Sequence, residues 1–363
     1  MQLRGMKSVT AVGGVAAVAV ALAACSSSTT PSSGGSSSPS ATTSSNASLS
    51  GTINGAGSTF QTNFQQGALS SFKSVDPGIT VNYSSVGSGT GRDDLASNTV
   101  NYAGSDSPIP TADASQFKST VLYFPVQIGP VAIAFNVTGV TSLKLDASTL
   151  AGIFSGKITT WNNSAIAALN PGVSLPSATI NVVVRSDSSG TTQNFSLYLE
   201  KAAGSAWTLG SSSTIKFPST FHAADGGSAV AQAVKATTNS IGYVDFSTAT
   251  ASGLKAATIK NSAGDYVAPS TASATAAASH VTPSSNLTFT TVDEPGATSY
   301  PITYQSWDLV YAKQPNANDA ALLKAYLGYL LGQGQSLLST LNLAPLPTAI
   351  DSAAKAELSQ ITG

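Results

Sequence analysis

Residues 51–106 read "GTINGAGSTFQTNFQQGALSSFKSVDPGITVNYSSVGSGTGRDDLASNTVNYAGSD". The opening "GTINGAGSTF" is a short strand that runs into a glycine-rich turn. Apolar residues then recur at helical spacing, at Phe60, Phe64, Leu69 and Phe72. "GITVNYSSV" alternates as a strand does, "GSGTGRDDLASNTV" is a glycine turn opening a second helix, and "NYAGSD" is a strand ending in a turn. Strand, helix, strand, helix, strand in that order predicts a parallel α/β sheet, because parallel neighbours need a crossover helix between them.

The pattern continues outward. "VLYFPVQIGPVAIAFNV" at 121–137 is strand-like with proline breaks, and a second α/β set runs from about Val131 to Thr290. That set includes "TINVVVRSD" (179–187), a β-branched run, then "TTQNFSLYLEKAA" (191–203), which reads as a helix, and "NSIGYVDFSTA" (239–249), a strand and turn. The low-complexity stretch "APSTASATAAASHVTPSSN" (268–286) reads as an exposed excursion, and "DAALLKAYLGYLLGQGQSLLSTL" (319–341) as a helical region.

Composition narrows the function. The chain has 363 residues, 42% hydrophobic but only 9% charged, where globular domains average about 25% charged. Its net charge of −1 provides no basic field for nucleic acid or an anionic membrane. The single cysteine rules out an internal disulfide. It stands at the end of "MQLRGMKSVTAVGGVAAVAVALAAC", where Arg4 and Lys7 precede an apolar run too short for a comfortable membrane span. Residues 1–25 thus read as a secretory signal, and Leu22-Ala23-Ala24-Cys25 resembles a bacterial lipobox, which implies lipidation of Cys25. Residues 26–50, nearly free of apolar groups and uncharged, read as a flexible tether with a reach of roughly 25–30 Å.

Three junctions look alike: "GAGSTF" at 55–60, "VGSGTG" at 86–91 and "RSDSSGTT" at 185–192. Each follows a strand and opens a helix, the place where open α/β sheets bind ligands. Helix N-termini offer unpaired N–H groups and a positive dipole end, and glycine allows close approach. A serine or threonine at one such junction is ordinarily an N-cap. Three junctions with an arginine on one point to a nest for a small oxyanion. Two carboxylates fit that use. Asp187 is placed to orient Arg185, and Asp106 in "AGSDSP" can accept a hydrogen bond from a protonated anion while repelling a fully deprotonated one.

The sequence resembles the extracytoplasmic phosphate-binding proteins of the phosphate-specific ABC transporter, the PstS family, from about Gly51 to the C-terminus. The resemblance rests on "INGAGSTF", "VNYSSVGSGTG", "YAGSDSPI", "IFSGKITTWNNSAIAALNPGVSLP", "VRSDSSGTTQNF", "NSIGYVDF" and "YPIT". It implies a two-lobed, type II periplasmic-binding-protein fold of the Venus-flytrap kind, hinged on crossover strands. "FPVQIGP" and "SYPITY" read as that crossover pair, which places lobe one at 51–127 and 300–363 and lobe two at 128–299. It further implies that Thr59, Phe60, Ser88, Asp106, Arg185, Ser189, Gly190 and Thr191 hold inorganic phosphate, with Asp187 pairing to Arg185. The implied partners are the permease subunits of a phosphate ABC transporter and the membrane, through the lipid on Cys25, at the extracytoplasmic face. No cofactor or metal is implied.

Competing readings find less support. A hydrolase needs a base beside its nucleophile, but only His222 and His280 are present, the second in the low-complexity stretch, and no G-x-S-x-G elbow occurs. Ser70-x-x-Lys73 and Ser213-x-x-Lys216 lack companion motifs, and "GIFSGKI" is one residue short of a P-loop. Two scattered histidines and one cysteine make no metal site. A phosphomonoesterase, a sensory or surface lipoprotein uncoupled from transport, and a receptor for another oxyanion remain as alternatives.

Overall fold

The structure is a computed structural model and describes residues 49–363. The signal, Cys25 and nearly all of the tether lie outside the described residues. The first half runs β1 (Gly51–Gly57), α1 (Thr62–Val75), β2 (Ile79–Ser85), α2 (Ser88–Ala96) and β3 (Tyr102–Ser105). It continues through β4 (Val121–Asn136), β5 (Lys144–Leu145), α3 (Ala147–Phe154) and α4 (Ser164–Leu169). Then come β6 (Asn181–Arg185), α5 (Gly190–Ala203), β7 (His222–Ala224), α6 (Gly226–Ala236), β8 (Ser240–Asp245) and α7 (Phe246–Ala251). The chain ends with β9 (Lys255–Ala256), β10 (Thr258–Lys260), β11 (Tyr266–Val267), α8 (Thr271–Ala278), β12 (Thr303–Tyr311), α9 (Ala317–Leu331) and α10 (Thr348–Glu357).

One sheet carries the order β2-β1-β3-β12-β4-β8-β6-β7, with β9 on β4. Strands β2, β1 and β3 are parallel, as are β8, β6 and β7, which is what the strand–helix alternation predicts on either side. Between them β12 and β4 run antiparallel, and so does β4 against β8.

Strand β4 departs from the expectation of proline breaks. It is continuous through Pro125 and Pro130. Proline lacks a ladder donor, and the structure places both prolines at irregular positions. Pro125 sits beside a register shift at Ser306/Trp307, and Pro130 ends the pairing with β12. From Val131 onward β4 pairs with β8 instead. "FPVQIGP" and the start of β12 are thus adjacent, with Thr303 opposite Pro130 and Tyr304 opposite Gly129.

The stretch 268–286 is only partly the exposed excursion expected. Residues 271–278 form α8, opened at its N-terminus by a capping box between Ser270 and Ser273, and Ala274, Ala277 and Ala278 are buried. Alanines have no side-chain entropy to lose and allow close packing, so composition hid a core helix. The C-terminal helical region also stops at Leu331 and gives way to short 3-10 turns before α10.

Aromatic residues fill the core. Phe195 stacks on Tyr243 at 4.6 Å, and Phe154 meets both. Beneath the first junction lies a buried polar cluster. Gln65 Nε2 donates to Gln61 Oε1 at 2.9 Å and, at 3.3–3.4 Å, to Asp308, a fully buried carboxyl without a cation beside it among the described residues. Burial pushes Asp308 up to about 7, against the lowering effect of the Gln61 and Gln65 hydrogen bonds. A carboxyl raised in the folded state binds more protons there than when unfolded. Its contribution to stability is therefore complete below the unfolded value near 4 and is lost as pH rises to about 7. Replacing Asp308 with Asn removes that loss. The melting temperature of Asp308→Asn relative to the parent is expected to gain about 2 °C or more between pH 4 and pH 8, the shift that about 1 kcal/mol gives a domain of this size. A pH-independent difference would refute the assignment.

Candidate functional site

All three junctions picked out in the sequence come together at the sheet's strand ends, and a fourth joins them. The fourth is Asp225-Gly226-Gly227, where β7 passes into α6. Contacts link the four in a chain. The Gly227 N–H donates to Thr59 Oγ1 at 3.3 Å, the Gly226 N–H donates to Asp187 Oδ1 at 3.1 Å, and the Gly89 N–H donates to the Ser188 carbonyl at 3.0 Å. The fourth junction has the same small-residue signature as the others and was legible in principle. Only the three-residue β7, without a β-branched run, precedes it, so no strand signal marks it in the sequence.

In the first junction Ser58, fully buried, caps the short turn by accepting from the Phe60 N–H at 3.1 Å. That N–H, assigned to the ligand by resemblance, thus has a side-chain partner here. The Thr59 hydroxyl accepts from Gly227 and keeps its own hydrogen to donate. In the second junction Gly87 has φ +90°, and a Cβ there would fall 2.5 Å from Asp187 Oδ2. Only glycine permits both the backbone conformation and the approach.

The third junction carries the charge. The Arg185 Nε donates to Asp187 Oδ1 at 2.6 Å, and Nη2 donates to Asp187 Oδ2, a bidentate pair. Both side chains are almost out of solvent, 2% and 10% exposed. Burial opposes the charge on each, yet the pairing outweighs it, raising Arg185 above and holding Asp187 below their ordinary values. Ser189 caps α5 through its Oγ, which accepts from the Thr192 N–H at 3.2 Å. The N–H groups of Gly190 and Thr191 precede the first intrahelical bonds and point out of the helix end.

Asp106, just past β3, is 1% exposed. Its Oδ1 accepts from Ser306 Oγ at 2.6 Å, while Oδ2 accepts only a long bond from Ser88 Oγ at 3.3 Å. Its own N–H donates to Ser88 Oγ at 3.2 Å. Burial pushes the carboxyl up to about 6, and the Ser306, Ser58 and Ser88 hydroxyls around it, with the nearby Arg185 charge, limit the rise. Gly190 presses on this pair from the other side: a Cβ there would lie 2.5 Å from Asp106 Cβ and 2.6 Å from Ser88 Oγ. All eight positions named from sequence, with Asp187, therefore lie in or beside one cluster.

Several residues around it had no signal in the sequence. Ser306 and Gln305 arrive on β12, and the Gln305 and Asn194 amides both donate to the Asp106 carbonyl, at 3.2 and 2.7 Å. Arg92 is a second buried arginine, 5% exposed, so Arg185 is not the region's sole strong positive charge. It donates to Ser105 Oγ at 2.9 Å and Ser107 Oγ at 3.1 Å, bracketing Asp106. His222 and His280 are exposed, on β7 and just after α8, and neither hydrogen-bonds to a residue of the cluster through its side chain.

Two α/β halves joined by crossover strands, with helix ends of both halves meeting around a buried arginine and a buried carboxyl, define a two-lobed substrate-binding protein. The family model described as a PBP superfamily domain matches residues 41–333. The chain is 36% identical over 314 residues to "Phosphate-binding protein PstS 3" of Mycobacterium leprae, covering 83% of this chain and 84% of the relative. It is 35% identical over 307 residues to "Phosphate-binding protein PstS" of Pasteurella multocida, covering 82% and 87%. The chain belongs to the PstS family of phosphate-binding proteins. In fold it matches the phosphate-binding protein of Stenotrophomonas maltophilia, with TM-score 0.70 and 23% identity over 85% of this chain and 94% of that one. It also matches a high-affinity periplasmic phosphate-binding protein solved with phosphate, with TM-score 0.71 and 24% identity over the same shares. No helix among the described residues is long and apolar enough to cross a membrane.

Proposed function

We propose that this protein captures inorganic phosphate outside the cytoplasmic membrane and delivers it to an ABC permease for import. The observation that carries the reading is the gathering of four helix N-termini around the buried Arg185–Asp187 pair and the buried Asp106 carboxyl. In this reading Thr59, Phe60, Ser88, Arg185, Ser189, Gly190 and Thr191 donate to phosphate oxygens, and Asp187 holds the guanidinium fork. Asp106 accepts the ligand's proton through Oδ2, the oxygen with only a long internal bond. Lobe one comprises 51–127 and 300–363, lobe two 128–299, and the paired segments of β4 and β12 form the hinge on which they close. A lipid on Cys25 and the tether after it hold the protein at the membrane.

The test is calorimetry of the purified protein with phosphate and then sulfate at fixed pH and salt. Phosphate alone should bind tightly at pH 8. Asp106→Asn turns one acceptor oxygen into a donor and removes the charge that repels sulfate, so the phosphate-over-sulfate ratio should narrow by about tenfold or more, since specificity is a difference of two binding free energies. The same logic sets a pH dependence. With Asp106 pushed up to about 6, lowering pH from 8 to 5 protonates it, and sulfate should bind better in the parent but not in Asp106→Asn. An unchanged ratio in the variant would place selectivity in the hydroxyl cage and remove Asp106 from this role.

A further inference from the structure

We propose that Tyr304 is a further ligand group of the anion site, its hydroxyl donating a hydrogen bond to an oxygen of the bound anion. The inference rests on the phosphate-binding reading above and adds a residue to it. Tyr304 stands in β12 opposite Gly129 of β4 and is fully buried. Its ring lies flat on Phe60, with centroids 4.1 Å apart and planes at 24°. Phe60 belongs to the first junction, next to Thr59, so the stack pins the tyrosine to the site's own backbone.

The Tyr304 hydroxyl has no hydrogen-bond partner among the described residues. Buried hydroxyls are almost always paired, because an unpaired one forfeits its hydration without compensation. The surroundings of this one are those of the site: the Thr191 hydroxyl lies beside it, and Asp245, Asp106 and Arg185 are the charged groups that act on it. Tyr198, whose hydroxyl is also unpaired, has Asp293 and Asp146 as the charged groups that act on it, and none of the site's charges. Burial, with Asp245 and Asp106, pushes the Tyr304 hydroxyl well up, so it keeps its hydrogen at neutral pH. A neutral donor that keeps its hydrogen suits an oxyanion, which brings acceptors in excess.

The variant Tyr304→Phe keeps the ring and its stack on Phe60 and deletes only the hydroxyl. Two measurements on the purified protein test the proposal. Calorimetry should show phosphate binding weakened by about tenfold or more, the loss expected for one hydrogen bond to a charged partner. Melting without phosphate should stay within about 2 °C of the parent, because the only protein neighbour the hydroxyl loses is the Thr191 hydroxyl, which makes no well-formed hydrogen bond to it. A dissociation constant within twofold of the parent's would overturn the proposal. So would a fall in the phosphate-free melting temperature of several degrees, which would make the hydroxyl a structural group. If the parent itself fails to bind phosphate, the functional reading fails, an outcome separable from a parent that binds and a variant that binds equally well.

Discussion

Arg185→Ala is expected to weaken phosphate binding by roughly 2–5 kcal/mol, the range for truncating one partner of a buried, hydrogen-bonded charge pair. That corresponds to about thirtyfold to a few thousandfold in the dissociation constant. Two effects contribute. The anion loses the guanidinium at the third junction, in surroundings where water screens little. Asp187 also loses its bidentate partner and keeps only the Gly226 N–H, at 3.1 Å, as a cross-junction donor. A second substitution separates the two. Asp187→Asn added to Arg185→Ala should recover stability, since it removes the unpaired charge, but should not recover phosphate affinity. Thermal unfolding and calorimetry of the parent, both single variants and the double variant complete the cycle. A change in affinity within threefold for Arg185→Ala would show that this ion pair only braces the fold.

Gly190→Ala is expected to cost two to three orders of magnitude in phosphate affinity, about 3–4 kcal/mol, with little change in the melting temperature of the phosphate-free protein. The added methyl would lie 2.5 Å from Asp106 Cβ and 2.6 Å from both Asp106 Oδ2 and Ser88 Oγ. None of these atoms can give way cheaply, since Asp106 is tied to Ser306, Asn194 and Gln305 and Ser88 opens a helix. Gly190 opens α5 beyond β6, whereas Asp106 and Ser88 follow β3 and β2. The clash therefore falls between the two halves of the sheet, not inside either. Each half keeps its own packing, while the approach that surrounds an anion is blocked. A large loss of melting temperature without phosphate, or binding within tenfold of the parent, would contradict this placement.

The strand–helix alternation of 51–106 is visible in the sequence because its physics is local. Side-chain period, glycine turns and β-branched runs each act over a few residues. The three glycine-hydroxyl junctions are visible for the same reason, since N-capping and close approach to a helix end are properties of four or five consecutive residues. Arg185 and Asp187 are two residues apart, so their pairing also lies within reach of a local reading. Low complexity misled at 271–278, where alanine spacing carries no hydrophobic contrast by which to recognise a buried face.

What neighbours the Asp106 carboxyl was decided elsewhere. Ser306, Gln305 and Tyr304 reach the site only because β12 returns some 200 residues later and lies between β3 and β4. Arg92 is brought behind the site by the packing of α2 on β3. Nothing in "YPITYQSWDLVY" marks Ser306 as the closest partner of Asp106 or Tyr304 as a hydroxyl left unpaired, because strand neighbours are set by long-range register and burial by the whole fold. The sequence by itself determined which residues make strands, helix ends and charged junctions. The tertiary structure alone decided which of them share one dehydrated space, and desolvation there is what pushes Asp106 up to about 6.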